Sequence, residues 1–229
     1  MSVTLTQPNS RTGTKPAQIL IVDDHPIVRE GYEQMISRHA DLEVCAVAAD
    51  TMDALRLCER AEPDLAIIDL SLKGGSGLEL CKQVKSRFPR ITTLVISMHD
   101  EQLYAERALR AGALGYANKA DSTRHLINAI RHVLKGKLFL SEAMNDRLLN
   151  RMVGHEGRPE MSAIESLSDR ELQVFELLGE GKTVRDIAAQ LKLSPKTIES
   201  YRENLKTKLG IAGGTQLLRH AVQWVLENR

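Results

Sequence analysis

Two adjacent acids, Asp23 and Asp24, follow the apolar run Ile19–Val22, and a third, Asp69, follows Leu65–Ile68. A hydroxyl, Ser97, ends the run "TTLVIS", and Lys119 stands just after "LGYAN". Two carboxylates about 4 Å apart repel by about 1 kcal/mol in water and about 4 kcal/mol at an effective dielectric of 20. A chain that sets acids side by side at the end of a buried run therefore implies a cation between them. Hard oxygen ligands that leave coordination positions open suit Mg²⁺, which binds few carboxylates and keeps its waters for a phosphate. Acids at strand ends also cap helices and shape turns, and each of these residues taken singly is an ordinary loop residue. The joint order carries the chemistry: acid pair, acid, hydroxyl and lysine each close a separate apolar run.

Elements of a particular kind must position them. From Gln18 onward, short β-branched or aliphatic runs alternate with amphipathic helical stretches, the pattern of βαβ units in a parallel sheet covered on both faces. Five runs read as strands: "ILIVD", "EVCAVAA", "LAIID", "TTLVIS" and "LGYAN". Val28, Tyr32, Met35 and Ile36 make a helical stripe after the first, and Leu126, Ile127, Ile130, Val133 and Leu134 make another after the last. In an open parallel sheet the site lies beyond the carboxyl ends of the strands. All five chemical residues therefore converge at one edge.

The chain has 229 residues, 42% of them hydrophobic, enough for one large domain or two ordinary ones. Its net charge of +1 is unevenly spread: Ala17–Lys137 holds 16 basic and 17 acidic residues, and Ser166–Arg229 holds 10 and 8. The C-terminal part leans mildly basic. Cys45, Cys58 and Cys81 are odd in number and lack CxxC spacing, which argues against a disulfide framework or a zinc site and for buried free thiols. No run approaches the roughly 18 apolar residues of a membrane span, and "MSVTLTQPNSRTGTK" lacks the apolar core of a signal peptide. These features predict a cytoplasmic protein without a membrane partner, whose residues 1–17 form a disordered tail.

After Gly136 the regularity fades through a polar segment with one short helix near Met144–Met152, and residues 138–163 read as a linker with no rigid joint. Beyond it the chain is all helix-like. Ser168 with Glu171 makes a capping box, Val184, Ile187, Ala188 and Leu191 form a stripe, and Ser194 caps a helix that opens on Pro195. Ile198, Leu205 and Leu209 pack that helix inward, and a final amphipathic helix spans Gly214 to Asn228.

On "VDDHP", "IIDLSLKGGSG", "VISMHD" and "GALGYANKA", residues 18–137 resemble the receiver domain of two-component response regulators. The resemblance implies a flavodoxin-like (CheY-like) doubly wound α/β domain with a five-stranded parallel sheet. It implies that Asp69 accepts a phosphoryl group from a histidine kinase or a small phosphodonor. Asp24, Asp69 and the backbone carbonyl of Ser71 would ligate Mg²⁺, with Asp23 acting through water. Lys119 would pair with the phosphoryl oxygens, Ser97 would move to hydrogen-bond them, and Tyr116 would swing inward after it. Lys73 and Ala120 stand where many receivers have proline.

On "LSDREL", "GKTVRDIAAQL" and "SPKTIESYRENLKTKLG", residues 164–229 resemble the LuxR-type helix-turn-helix of NarL/FixJ-type regulators, a small all-α domain. The resemblance implies that the helix from Pro195 to Leu209 enters the major groove of promoter DNA. Lys196, Thr197 and Arg202 would lie near phosphates with Lys206 as a further backbone contact, and Glu199, Ser200 and Glu203 near base edges. Glu199 and Glu203 replace the lysines of many relatives, and two readings stand: an acceptor for a cytosine amino group, or pairing with Lys196, Arg202 and Lys206 to orient them. The last helix is expected to bury its apolar stripe in the domain or share its edge with a second copy.

The function that follows is a phosphorylation-dependent transcription regulator, dimeric on DNA, that catalyses only its own aspartyl phosphorylation and dephosphorylation. Two rivals use the same residues. A Mg²⁺-dependent aspartyl-phosphate phosphatase would want an acid two residues after its nucleophile, where this chain has Ser71. An interaction adaptor would bind protein through the helical domain, and a salt-dependent mobility shift on DNA separates it.

Overall fold

The structure, a computed structural model, describes residues 15–72, 75–153 and 163–227. The N-terminal tail up to residue 14, Lys73, the linker portion 154–162 and Asn228 lie outside the described residues. Strands β1 (Ala17–Val22), β2 (Leu42–Ala48), β3 (Leu65–Ile68), β4 (Thr92–Ser97) and β5 (Gly115–Asn118) form one parallel sheet in the order β2-β1-β3-β4-β5. Ala17, expected in the tail, already pairs with Leu42 in β1.

Period-two alternation divides the strand side chains between two apolar layers. Ile19, Ile21, Ile67, Leu94 and Ile96 face α1 (Pro26–Ile36) and α5 (Thr123–Leu134). Leu20, Val22, Ala66, Ile68 and Val95 face α2 (Thr51–Ala61), α3 (Gly77–Arg87) and α4 (Glu101–Ala111). Burial on both faces explains why these strands read as continuous apolar runs. Cys58 and Cys81 are buried free thiols, as expected, whereas Cys45 on β2 is half-buried.

The described part of the segment expected as a linker is largely structured. Phe139 bridges to Gly115 beside β5, Leu140 and Met144 are buried, and α6 spans Glu142–Val153. The output helices follow as α7 (Asp169–Gly179), α8 (Val184–Leu191), α9 (Pro195–Leu209) and α10 (Gly214–Glu227). Ser168 and Glu171 form the capping box of α7, and Ser194 caps α9 with Pro195 in its first turn. A second capping box, Thr183 with Asp186, starts α8. Leu172, Phe175, Ile187, Ile198, Leu205, Leu217 and Ala221 close the small helical core. No described helix is long and apolar enough to cross a membrane.

The two domains meet at a joint of long polar side chains. Asp169 accepts from Lys82 at 2.9 Å and from Arg107 at 3.1 Å, and Arg107 also donates to the main-chain oxygen of Glu165. Arg147 of α6 pairs with Glu165 at 2.9 Å, and the Tyr104 hydroxyl of α4 donates to Glu176 of α7. The expectation was of a linker without a fixed joint; these contacts join the two domains through polar side chains. Sequence patterning missed these pairs because each joins residues far apart in the chain, with no periodic signal to mark them.

Candidate functional site

The sheet ends on a set of loops tied to one another by main-chain hydrogen bonds. The Asp69 amide donates to Val22, the Asp23 amide to Ala48, and the Lys119 amide to Ser97. These bonds carry the sheet register past the strand ends, so the side chains of three loops meet in one pocket. Gly77 makes the fit possible at α3, because a Cβ there would sit 2.1 Å from the Asp69 carbonyl oxygen.

Within the pocket, Lys119 Nζ lies 2.8 Å from Asp69 Oδ2 and 2.7 Å from Asp23 Oδ2. Asp23 and Asp69 are 1% and 3% exposed, so these are buried charges that survive only when paired. Burial pushes the Asp69 carboxyl up to about 6 against the opposing pull of Lys119. Burial would depress the Lys119 ammonium, but Asp69 and Asp23 outweigh it and hold the group above its ordinary value. Two carboxylates share one lysine, which leaves negative charge in excess.

That excess is what a divalent cation would neutralise. Asp23, Asp24, His25 and Asp69 present ligand atoms within 4.8 Å of one another. Asp23 Oδ2 and Asp24 Oδ1 are buried without a well-formed hydrogen bond, although Lys119 and His25 lie within ion-pair reach of them. Buried oxygens short of donors, beside a hard carboxylate set, fit Mg²⁺.

Ser97 is fully buried, and its Oγ accepts from the His99 amide at 3.2 Å. Tyr116, expected to swing inward, is 1% exposed and already inside, its hydroxyl donating to the His99 carbonyl at 2.8 Å. Burial holds its phenol well above the ordinary range. Ser71 keeps its side chain on His99, with Oγ 2.8 Å from Nε2. The pocket thus gathers Asp23, Asp24, Asp69, Lys119, Ser71, Ser97 and Tyr116. His25 and His99 are additions that sequence reading passed over. Their one signal was position: a histidine directly after the acid pair, and another two residues beyond the β4 hydroxyl.

The second candidate surface is the outer face of α9. Lys196, Glu199, Ser200 and Glu203 are exposed there, and Thr197, Arg202 and Lys206 are half-exposed. Arg202 donates two bonds to Glu199, at 2.9 and 3.0 Å, and Lys206 pairs with Glu203 at 2.7 Å. Ser200 bonds back to the Lys196 carbonyl, and Thr197 Oγ1 meets the cap hydroxyl of Ser194. Arg202 is turned toward the start of α10, with a guanidinium nitrogen close to Gly214, so it leaves the outer face that resemblance assigned to it. The α10 stripe divides: Leu217, Ala221 and Val225 are buried, whereas Leu218, Val222 and Leu226 stay exposed at 43%, 36% and 77%.

A carboxylate pocket with a lysine at the carboxyl edge of a 2-1-3-4-5 sheet, joined to a capped helix-turn-helix, defines a receiver with a DNA-binding output module. Comparison with known proteins agrees. Residues 19–131 match the response regulator receiver domain, and residues 165–221 match the bacterial regulatory proteins of the luxR family. The chain is similar to the oxygen regulatory protein NreC of Staphylococcus haemolyticus, 33% identical over 210 residues that cover 90% of this chain and 97% of that protein. It is similar in structure to RcsB from Salmonella enterica serovar Typhimurium bound to promoter rprA in the presence of phosphomimetic BeF3⁻. That match has 26% identity and a TM-score of 0.66, over 91% of this chain and 99% of that one. A LuxR-family two-component response regulator from Aurantimonas sp. SI85-9A1 is 35% identical with a TM-score of 0.56, over 61% of this chain and 99% of that one. The chain belongs to the response regulators that carry a receiver domain followed by a LuxR-type helix-turn-helix.

Proposed function

We propose that a histidine kinase or small phosphodonor phosphorylates Asp69, and that this modification controls binding of promoter DNA by α9. The observation that carries the reading is the convergence of Asp23, Asp24, Asp69 and Lys119 in one buried pocket with anionic charge in excess. Asp24, Asp69 and the Ser71 carbonyl would hold Mg²⁺, with Asp23 acting through water; the ion would neutralise charge on the transferring phosphoryl group. Asp69 is the nucleophile. Lys119, already in contact with its Oδ2, pairs with the phosphoryl oxygens, and Ser97 hydrogen-bonds one of them. Tyr116, already inside, stays anchored to the same β4–α4 loop beside Ser97.

The outer face of α9 is open in the docked arrangement, because the receiver reaches the output domain through α7. Control by uncovering the reading helix therefore finds no support. Control by assembly does, since the exposed Leu218, Val222 and Leu226 offer an apolar strip for a second copy. Lys196, Ser200 and Lys206 face the DNA, and the Arg202–Glu199 and Lys206–Glu203 pairs occupy both carboxylates, which favours side-chain pairing over base readout by the glutamates.

The test uses phosphoramidate with Mg²⁺ on the full chain and on Asp69→Asn. Wild type gains one acid-labile phosphoryl group, shifts promoter DNA at lower protein concentration, and binds as two protomers per site. Phosphate uptake by Asp69→Asn at the wild-type rate, or equal DNA affinity with and without phosphate, would sink the reading.

A further inference from the structure

A relay of side chains joins the phosphoacceptor pocket to the output domain. His99 Nε2 lies 2.8 Å from Ser71 Oγ, and Nδ1 of the same ring lies 3.4 Å from Glu176 Oε1 on α7. Tyr104 braces both, its ring centroid 4.7 Å from that of His99 and its hydroxyl bonded to Glu176. The main chain of His99 holds the two switch residues, its amide donating to Ser97 Oγ and its carbonyl accepting from Tyr116. One residue therefore touches the metal-side loop, the switch pair and the output domain.

The same contact shapes the approach to the pocket. A cleft beside it is lined by Asp24, His25 and Ser71 of the receiver, and α7 and the turn after it supply the opposite wall with Asp169, Glu176, Glu180 and Lys182.

We infer that Glu176 is a positioning residue for phosphorylation of Asp69 and acts through His99. This rests on the reading of Asp69 as the phosphoacceptor. With the output domain docked, Glu176 holds the His99 ring, and the His99 amide keeps Ser97 Oγ engaged and away from the phosphoryl oxygens, so docking slows phosphorylation. In the reaction, an Asp69 carboxylate oxygen bonds to phosphorus while the P–N bond of zwitterionic phosphoramidate breaks; its nitrogen already carries three protons, so the electron pair leaves on nitrogen as neutral ammonia. The new phosphoryl oxygens draw Ser97 toward them, the His99 amide loses its acceptor, and the ring loosens from Glu176. Linkage makes the equilibrium effect reciprocal: the factor by which docking disfavours the phosphoryl group is the factor by which the phosphoryl group disfavours docking.

The experiment follows phosphorylation of the full chain by phosphoramidate and Mg²⁺ through intact mass. Glu176→Gln, which keeps an oxygen acceptor for the Tyr104 hydroxyl, and His99→Ala should each speed the reaction by more than about twofold. The double variant should be no faster than the faster single, because the two residues act in series. Rates within twofold of wild type in both single variants would overturn the inference. So would a Glu176→Gln effect that persists in full in the His99→Ala background. Asp69→Asn separates the two claims: phosphate that survives it overturns the phosphoacceptor reading, whereas unaltered kinetics in a chain that it silences overturn only the role of Glu176.

Discussion

Replacing Gly77 by alanine tests how closely the scaffold is built around the phosphoacceptor. A Cβ at Gly77 would lie 2.1 Å from the Asp69 carbonyl oxygen and 2.7 Å from the Leu70 Cα. Both are backbone atoms, so no side chain can turn aside. Alanine in a helix is worth up to about 1 kcal/mol over glycine. Overpacking a tight contact costs about 1–3 kcal/mol, and at the first position of α3 the helix gain is at most about 1 kcal/mol, so the net change is a loss of about 0–2 kcal/mol. The melting temperature of the receiver should fall by about 4 °C for each kcal/mol. The chemistry should suffer more. Relief of the clash moves the Asp69–Leu70 backbone by about 1 Å, and a misplacement of that size costs about 100-fold in rate. The assay is phosphoramidate labelling with Mg²⁺, beside thermal melts and far-UV dichroism. Gly31→Ala on α1 is the matched control, since nothing lies within 4 Å of a Cβ there; it should keep the wild-type rate and gain stability. If Gly77→Ala matched that control in both rate and melting temperature, the close-approach argument would be refuted.

Further expectations follow from charge and exposure. Because the folded Asp69 pKa is raised from 3.8 to about 6, its stabilising effect is full below 3.8 and lost as pH rises through about 6. In chelator, the receiver should therefore melt higher at pH 5 than at pH 7, and Asp69→Asn should flatten that difference. At Asp169 burial is outweighed by hydrogen bonds from Lys82 and Arg107, so its pKa is lowered and the joint has the opposite sign. Its contribution is present above the ordinary carboxylate value of 3.8 and is lost as pH falls below it, as hydrogen exchange of α7 should report. Lys196→Ala should weaken binding to all DNA sequences alike and reduce the salt slope by about 1, read by mobility shifts at several salt concentrations. Glu199→Ala should tighten random DNA by freeing Arg202; a loss confined to one C·G position would instead favour base readout. Val222→Lys should leave the melt within about 0.5 kcal/mol yet abolish the two-protomer complex, as measured by the stoichiometry of operator binding.

The sequence by itself determined the doubly wound sheet, because burial on both faces writes each strand as an unbroken apolar run and each intervening helix as a stripe. It determined the acid pocket for the same reason: Asp23, Asp24, Asp69, Ser97 and Lys119 each stand where such a run stops, and a parallel sheet brings its carboxyl ends together. Caps were legible too, since Ser168 with Glu171, and Ser194 before Pro195, act within one turn of chain. Only tertiary structure decided what depends on distant encounters. The α10 stripe read as one face, but packing on α7 buries Leu217 and Ala221 and leaves Leu218 and Val222 outside. Arg202 read as a phosphate contact, yet it turns back onto Glu199 and the start of α10. The segment after Lys137 read as linker because Phe139, Leu140 and Met144 are too few and irregular to show a period, and they are buried all the same. The joint of Lys82 and Arg107 with Asp169, and the path from Ser71 through His99 to Glu176, join residues tens of positions apart. Local patterning records which face of an element is buried, and it carries no trace of which polar tip on another element will meet it.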